Sequence, residues 1–543
     1  MVDQRLKITR QAFSDSFVGY VLNVATEALD SLEVSAAQAK CLDELYHYAL
    51  GVIQTEDNHQ RIAIQSLLLG PASSSTDIGV ASMMRKGCGG ELPSTESDDE
   101  VERLLLACVR DAYPILLMPI PNTIWPFPDI HLMPGLLKLE AAKRLRSAIL
   151  IDDDLRRLFP RIPANEVSQV SFLPFWQTGM GNEHQASDVP RLLVSYSLTM
   201  SAIYGELTQQ ACARFAREAL MFARSLARRE HVDLPVIIGI SGIELADDLN
   251  SVDVTCGELR RSTPPALAHF GWRAKEWDIK TLLILRAKDK IVEVDSWESG
   301  HGPAPDEIEA AFGKLHPKMV QASRDAETLI TRVRYSLLLG SGADELLATR
   351  AGVMSRLNPL ESGTQTHLIS SSPDLLPTAR ITKATAVGIE MWARRVAKEH
   401  PKSLDIGVRR LLLAASMRLD PMDGFIDAVM CWENLFGDAQ ETGLKVCGSL
   451  AVLLEPEDTT KRESLFSELK KLYDTRSKLV HGAAEPPIEV AHQNRNRALA
   501  VALQAMRATY GVPGLLAMST SVARYKRMLL GFPAPPTQPN TPS

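Results

Sequence analysis

Residues 459 to 482, TTKRESLFSELKKLYDTRSKLVHG, carry apolar side chains at the spacing of one long helix. Thr459 and Thr460 are candidates for the N-cap, and Gly482 is typical of a position just past a helix C-terminus. The pattern therefore predicts a helix that closes at His481. At about 100° per residue, five apolar side chains share one stripe, with Phe466 and Tyr473 at its edge. The five are Leu465, Leu469, Leu472, Leu479 and Val480.

Arg476 falls in the middle of this apolar stripe. A guanidinium group there needs a carboxylate partner, a ligand or a second chain, because an unpaired buried charge costs several kcal/mol. We nominate Glu433, in the upstream segment CWENLFG, as the partner. A buried arginine that serves structure alone is the alternative.

His481 is expected in the last helical turn, where the helix dipole favours a cationic imidazole and where general acid or base catalysis is possible. An ideal helix places the side chains of Arg476 and His481 about 140° apart, since they are five residues apart in sequence. The two groups converge only if the helix end unwinds or if two chains contribute to one site.

The segment around this helix is basic within an acidic chain of net charge -7. Residues 461 to 510 hold nine Lys or Arg against five Asp or Glu. A solvated helical face and a phosphate-binding surface both account for this bias, and both stay open. Lys471, Arg495 and Arg497 are the residues expected to contact RNA on such a surface.

LYDTRSKLVHG, with WENLFG upstream, resembles the Apea-like HEPN family, whose signature is an arginine and a histidine separated by four to six residues. The resemblance covers about residues 381 to 515. It implies a helical bundle that pairs with a second copy, so that two motifs form one metal-independent site that cuts RNA without a cofactor. Arg476 would hold the phosphorane charge and His481 would move the proton as the 2'-hydroxyl attacks the adjacent phosphate.

Tyr473, Ser477, Lys478 and Glu433 are expected to support these two catalytic residues. Many HEPN nucleases place Asn, Asp or another strongly polar residue directly after the arginine, and Ser477 stands there in this chain. Two other histidines satisfy the loose spacing, namely His400 after Arg394 or Arg395, and His231 after Arg224. Their sequence context favours polar residues at helix ends.

The whole chain predicts a multidomain α+β protein, mainly helical, with a β-containing middle region and a C-terminal all-α, HEPN-like bundle. The runs LPVIIGI and TLLILRAKDKIVEVDSW predict strands, the second as a hairpin turning at Ala287 to Lys290. ILIDDDLRRLF (149 to 159) is best explained as an Asp-rich helix N-terminus. The expected regions are a helical region at 1–70, a flexible linker at 71–100, a mixed α/β domain at 101–300, a helical connector and linker at 301–380, the bundle at 381–530 and a disordered proline-rich tail at 531–543.

Several classes of protein and site are disfavoured. The seven scattered cysteines form no CxxC pair, which argues against a disulfide framework and a zinc site. The N-terminal MVDQRLKITRQ lacks the apolar core of a signal peptide, and no stretch offers about 20 uninterrupted apolar residues, so we expect a cytoplasmic protein without a membrane partner.

The leading hypothesis is a metal-independent endoribonuclease that acts as a toxin or antiviral defence (abortive-infection) effector. Its N-terminal regions would sense an unknown trigger or restrain a homodimer formed by the C-terminal bundle. The alternative is a non-catalytic HEPN module that binds RNA or protein and serves for dimerisation.

Overall fold

The computed structural model describes most of the chain, in twelve ranges. These are residues 4–71, 77–121, 127–159, 172–177, 182–185, 188–271, 277–292, 305–342, 345–361, 365–368, 377–482 and 486–531. The protein is mainly helical, with a small antiparallel sheet in the middle, which confirms the coarse fold class. In the part that the structure describes, no helix is both long and apolar enough to cross a membrane.

The chain forms two compact units. The first consists of Met1–Gly239, Arg260–Asp325 and Gly352–Pro373, and the second of Ile240–Leu259, Ala326–Ala351 and Asp374–Ser543. Each unit is therefore assembled from segments that are distant in sequence.

Helices form most of the first unit. Its helices are α1 Gln4–Phe13, α2 Asp15–Leu22, α3 Ala36–Gln54, α4 Asn58–Leu67, α5 Val80–Gly87, α6 Glu100–Ala112, α7 Asp129–Gly135, α8 Glu140–Ile151, α9 Val189–Tyr204, α10 Gln209–Ala227 and α11 Pro264–Ala268. Helix α9 is buried along almost its whole length and packs against α6 and α10. Its sequence VPRLLVSYSLTMSAIY is buried on every side, as expected of a helix at the centre of a core.

The strands belong to three sheets. They are β1 Phe172–Gln177, β2 Asn182–Gln185, β3 Val232–Ser241, β4 Ile243–Leu245, β5 Ser251–Asp253, β6 Gly257–Arg261, β7 Thr281–Asp289, β8 Ile291–Val292, β9 Arg350–Arg356, β10 Gln365–Leu368 and β11 Ala379–Ile381. The largest sheet has the order β10-β9-β3-β7-β6-β5, and β10 pairs antiparallel with β9, Gln365 opposite Arg356. β1 pairs antiparallel with β2 and with β8, whereas β11 runs parallel to β4.

The predicted strands exist, but the predicted hairpin is wrong. LPVIIGI lies in β3, which is buried at all but one position, and TLLILRAKD forms β7. Of the predicted second arm, residues 291–297, the structure describes only Ile291 and Val292, and these two residues do not pair with β7. Instead, Ile291 and Val292 of β8 lie opposite Gln177 and Trp176 of β1. Strand propensity identified the segments, but partner choice depended on a residue run more than 100 positions earlier.

The region predicted as a flexible linker contains a helix, and the region predicted as a helical connector and linker contains strands. Helix α5, with Val80, Ala81 and Met84 buried, lies inside the predicted flexible linker 71–100, of which residues 72–76 are outside the described part. The predicted connector 301–380 begins with the long helix α12 Pro305–Gly340, but it also contains β9 and β10. Apolar residues on short segments were missed because the surrounding Gly and Ser residues dominate the local pattern. Of the predicted disordered tail, residues 532–543 lie outside the described part.

From residue 383 to 530 every regular element is a helix, as predicted. The helices are α13 Lys383–Glu399, α14 Asp405–Leu412 with a π-helical turn at Leu413–Met417, α15 Pro421–Phe436, α16 Thr442–Leu454, α17 Thr459–Val480, α18 Ile488–Thr509 and α19 Ser521–Leu530. Helix α15 is central, and its Trp432 is fully buried and donates from Nε1 to the carbonyl of Ala498 on α18 at 3.2 Å.

Two arginines bind the carbonyl ends of helices in the second unit. Arg524 is 1% exposed and donates to the carbonyls of Asn434 and Leu435 at the end of α15, at 2.8 and 2.9 Å. Arg507 does the same at the end of α12, where Leu339 accepts at 2.9 Å. The last carbonyls of a helix lack partners within the helix, so a guanidinium fork satisfies them and favours the negative end of the helix dipole.

Candidate functional site

Helix α17 carries the candidate residues, and its C-terminal end is the one predicted. It ends at Val480, His481 is the C-cap, and Gly482 has φ 83°, a left-handed conformation that favours glycine. Its N-cap is Asp458, whose side chain accepts from the backbone nitrogen of Lys461 at 2.9 Å. The prediction of a threonine N-cap is therefore wrong by one residue.

The apolar stripe of α17 is only partly buried. Leu469 and Leu472 are buried, whereas Leu465 and Leu479 are half-buried against the same core. Val480 is 53% exposed, so it does not belong to the buried face. The last turn of the helix is thus only partly covered by the core, and Lys478 and Val480 face solvent.

Arg476 lies at the edge of this core and is bound to a carboxylate. Its Nη2 donates to Oε2 of Glu433 on α15 at 3.1 Å, and the two side chains are 19% and 23% exposed. The partner is the one nominated from the sequence. Nε of Arg476 is buried and has no hydrogen-bond partner in the part of the chain that the structure describes. A buried donor without an acceptor costs about 1–3 kcal/mol.

Tyr473, one helical turn before Arg476, binds the same carboxylate. Its hydroxyl donates to Oε1 of Glu433 at 2.8 Å. Each carboxylate oxygen of Glu433 therefore accepts one hydrogen bond from a side chain of α17. Burial raises the pKa of Tyr473 above its usual range, and the hydrogen bond to the Glu433 carboxylate and its charge act in the same direction. The phenol therefore stays protonated at neutral pH and acts as a donor that orients Glu433.

His481 is exposed, and its side chain has no hydrogen bond or ion pair within the described residues. Its backbone nitrogen donates to the carbonyl of Ser477 at 3.2 Å, the four-residue spacing of an α-helix. The helix therefore does not unwind between Arg476 and His481, and the angle of about 140° expected of an ideal helix is retained. The structure does not bring the two side chains together within one chain.

The remaining predicted residues of α17 lie on its open side. Ser477 is half-buried, and Lys471 and Lys478 are exposed. Within the described part of the chain, neither lysine has a hydrogen bond or an ion pair for its ammonium group. Both are therefore available to an anionic ligand.

Arg495 requires a correction as a predicted RNA contact. Its Nη2 and Nε donate to the carbonyl of Ala414 in the π-helical turn, at 2.7 and 3.1 Å, and burial lowers its pKa. A π-helical turn disrupts the regular backbone ladder, and this guanidinium supplies donors to it. The guanidinium of Arg495 is therefore engaged in stabilising the fold.

Arg497 is also engaged within the protein. It forms a two-point ion pair with Glu468 on α17, at 2.5 and 2.8 Å, with both side chains about 40% exposed. The other basic residues of the 461–510 window follow the same pattern: Arg462 binds the Glu455 carbonyl, Lys461 pairs with Asp458 and Lys470 with Asp474. Lys471 and Lys478 are the two cations of this window that remain unengaged in the described structure.

His400 and His231, the other histidines at the loose spacing, differ in their surroundings. The side chain of His400 is 1% exposed at the end of α13, with Nδ1 3.1 Å from the Tyr510 hydroxyl and Nε2 3.1 Å from Asp405. Burial lowers its pKa, although Asp405 acts in the opposite direction. His231 is exposed just before β3.

The acidic run Asp152–Asp154 does not begin an α-helix. Asp152 is the C-cap of α8, and its side chain accepts from the backbone nitrogens of Asp154 and Leu155 at 3.1 and 2.8 Å, which starts a short 3-10 turn. It also binds Arg224 of α10 at 2.7 Å. The carboxylate of Asp152 is thus neutralised by a neighbouring helix, a pairing that local sequence does not reveal.

A polar cluster in the first unit was not anticipated. Asp289 and Arg356 form a buried ion pair at 2.8 Å, Glu361 lies near them, and His269 has Nε2 2.9 Å from the Ser355 hydroxyl. The adjoining cavity, lined also by Phe127 and Asn358, holds about 30 Å³, room for one or two water molecules rather than a substrate. Its residues come from separate segments, so no motif could have revealed it.

In the residues that the structure describes, no group of three or more His, Cys, Asp or Glu side chains is arranged to hold a metal ion. Comparison of the chain with models of protein families, with curated proteins and with solved structures found no match.

Proposed function

We propose that this chain is a metal-independent endoribonuclease of the HEPN type, with Arg476 and His481 as its catalytic residues. The observation that carries the proposal is the anchored arginine. Glu433 and Tyr473 hold it at the edge of a core, its Nε lacks an acceptor in the described structure, and its side chain stays partly exposed. A guanidinium in this position is preorganised for a phosphate, which accepts two hydrogen bonds in the same plane.

The proposed chemistry needs one proton-transfer group and one charge-stabilising group. His481, exposed at the helix end, takes the proton from a ribose 2'-hydroxyl, whose oxygen attacks the adjacent phosphorus. Arg476 stabilises the negative charge of the phosphorane. The bond to the 5'-oxygen then breaks, so one product ends in a 2',3'-cyclic phosphate and the other in a free 5'-hydroxyl.

A site made by two chains follows from the straight end of α17. Because Arg476 and His481 diverge on one helix, the proposal places the histidine of one chain beside the arginine of a second copy. Lys471 and Lys478, the unengaged cations of this helix in the described structure, would add phosphate contacts along the RNA. A role as a toxin or antiviral defence effector, restrained by the first unit, rests on the family resemblance.

The test compares RNA cleavage by the full-length protein and by Arg476→Ala and His481→Ala. Purified proteins are incubated with total tRNA and with mixed-sequence RNA oligonucleotides in EDTA, and product ends are identified by mass spectrometry. We expect cyclic phosphate ends from the unchanged protein and a rate at least about 100-fold lower for each variant. Arg394→Ala and His59→Ala, which remove exposed residues of the same types, are the controls and should keep the full rate.

Equal rates for all five proteins, or an activity that EDTA abolishes, would contradict the nuclease proposal. Absence of cleavage by the unchanged protein would favour the second candidate, a non-catalytic HEPN module that binds a protein partner or a second copy. Its supporting observation is apolar exposure near the same helix end, where Val480, Ile488 and Val490 are 53%, 56% and 40% exposed. Charged substitutions there, such as Val480→Glu, would then abolish dimerisation measured by analytical ultracentrifugation.

A further inference from the structure

Two cysteines of the first unit, distant in sequence, lie around one backbone oxygen. The carbonyl of Met84 on α5 accepts the backbone N–H of Cys88, the C-cap of that helix, at 3.0 Å. The same oxygen accepts the thiol of Cys41 on α3, whose sulfur is 3.5 Å away. The end of α5 therefore packs against Cys41.

Further contacts bring the Cys41 sulfur close to the end of α5. A Cβ placed on Gly87, the residue before Cys88, would lie 3.8 Å from the Cys41 sulfur, and that sulfur is its nearest neighbour. The side chain of Cys88 also lies close enough to Cys41 for the Cys41 thiol to raise the pKa of Cys88. None of the other five cysteines lies beside a second thiol in the described structure.

The two thiols differ in access to solvent. Cys41 is 9% exposed and faces the core, whereas Cys88 is half-buried beside Gly89 and Gly90, which carry no side chains to cover it. A small oxidant thus reaches Cys88 first, and Cys41 is positioned to react with the product.

We propose that Cys41 and Cys88 form a dithiol that hydrogen peroxide oxidises to an intramolecular disulfide linking α3 to the end of α5. The proposal is independent of the proposed nuclease function, since both cysteines belong to the first unit.

The reaction proceeds in two balanced steps. The Cys88 thiolate attacks one oxygen of hydrogen peroxide, the O–O bond breaks and hydroxide leaves, so that Cys88 becomes a sulfenic acid. The Cys41 sulfur then attacks the Cys88 sulfur, the S–O bond breaks, and the departing hydroxide takes the Cys41 proton to form water. Two thiols lose two electrons in total, and one peroxide is reduced to two water molecules.

The environment of the thiols determines the rate. Burial raises the pKa of Cys88 to about 12, and the neighbouring Cys41 acts in the same direction. Since only the thiolate attacks peroxide, oxidation is slow at neutral pH and should accelerate about tenfold for each pH unit below that pKa. A slow, alkali-accelerated reaction distinguishes this pair from an activated catalytic thiol.

Oxidation of the reduced full-length protein with hydrogen peroxide tests the proposal. After free thiols are blocked with N-ethylmaleimide, trypsin releases Cys41 in the peptide 41–61 and Cys88 in the peptide 87–103. We expect these two peptides joined, two hydrogens lighter than their sum, and separated by a reductant. Their yield should rise about tenfold from pH 7 to pH 8 at fixed time.

Single variants separate the two steps. Cys88→Ser should abolish the linked peptide, whereas Cys41→Ser should leave a Cys88 sulfenic acid that dimedone traps. Cys256→Ser, which removes the other half-buried thiol, is the control and should leave the yield unchanged. Blocked thiols at both positions after oxidation, or equal pairing of Cys88 with other cysteines in the folded protein, would overturn the proposal.

Discussion

Arg476 of α17 donates from Nη2 to Oε2 of Glu433 on α15 across 3.1 Å, with both side chains about one-fifth exposed. Tyr473 occupies the other oxygen of the same carboxylate. The pair therefore joins two helices of the second unit and fixes the direction of a guanidinium group whose Nε has no acceptor in the described structure.

A double-mutant cycle should detect this coupling. Glu433→Gln and Arg476→Gln each remove one charge from a partly buried pair, so each should lower the free energy of unfolding by about 1–3 kcal/mol. The double variant should lose less than the sum, with a coupling energy of at least about 0.5 kcal/mol. Hydrogen exchange of peptides from α15 and α17 provides the measurement. Losses that simply add would mean that the ion pair contributes no stability.

Arg524 should be among the residues most sensitive to substitution in the second unit. Arg524 is 1% exposed. Arg524→Met leaves the carbonyls of Asn434, Leu435 and Met518 without their arginine donors. We expect a loss of about 3–5 kcal/mol, which hydrogen exchange of α15 would reveal. Lys526→Met, a half-exposed neighbour on the same helix, is the control. Equal protection in the two variants would contradict the capping role.

The first unit should lose stability on mild acidification. Burial lowers the pKa of His131 and of His269 to about 3, whereas an unfolded histidine titrates near 6.5. Between these values the unfolded chain binds more protons, so stability is fully present above about pH 6.5 and falls as the pH decreases. The slope should be about 1.4 kcal/mol per pH unit for each histidine.

Urea unfolding of the first unit at pH 7 and pH 5 measures this effect. The stability of the variant His131→Gln should decrease less between the two pH values, because one of the two titrating histidines is missing. His59→Gln, an exposed position, should match the unchanged protein. An undiminished pH dependence in His131→Gln would show that His131 does not contribute to it.

Glu361 should have the opposite pH dependence. Burial, assisted by the charge of Asp289 and opposed by Arg356, raises its pKa from 4.5 to about 8. The folded state therefore binds the extra proton, and the corresponding stability is full below pH 4.5 and is lost as the pH rises to about 8. Glu361→Gln cannot ionise, so its stability relative to the unchanged protein should increase over this range and level off above it.

Urea midpoints for the first unit at pH 6 and pH 9 provide the measurement, with Glu96→Gln as an exposed control. An unchanged or smaller advantage of Glu361→Gln at pH 9 would exclude a buried, protonated carboxyl group.

The helices of the C-terminal segment were predictable because their signals are local. Periodic leucines placed α17, and Gly482 marked its end, since a left-handed residue after the last turn costs glycine little. Strand propensity likewise located β3 and β7. The pairing of β8 was not predictable, because its partner Trp176 lies far away in sequence and a two-residue strand carries too little pattern to select it.

The candidate site was only partly predictable. The apolar stripe required a partner for Arg476, and one carboxylate on the preceding apolar segment made Glu433 the natural choice. Arg495 had no such signal. A guanidinium that binds backbone carbonyls of a π-helical turn and one that faces solvent have the same appearance in a sequence of polar helical residues.

By itself, the sequence determined where the helices of the C-terminal segment form, how α17 ends and which residues carry reactive groups. The tertiary structure alone decided which charges neutralise one another, that Arg476 and His481 diverge, and that the Cys41 sulfur lies near the end of α5. Helix signals arise from neighbours within a turn or two, whereas these pairings depend on how buried surfaces stack. Low dielectric and the exclusion of water make an unpaired charge near the core costly, so this stacking decides which charges are paired.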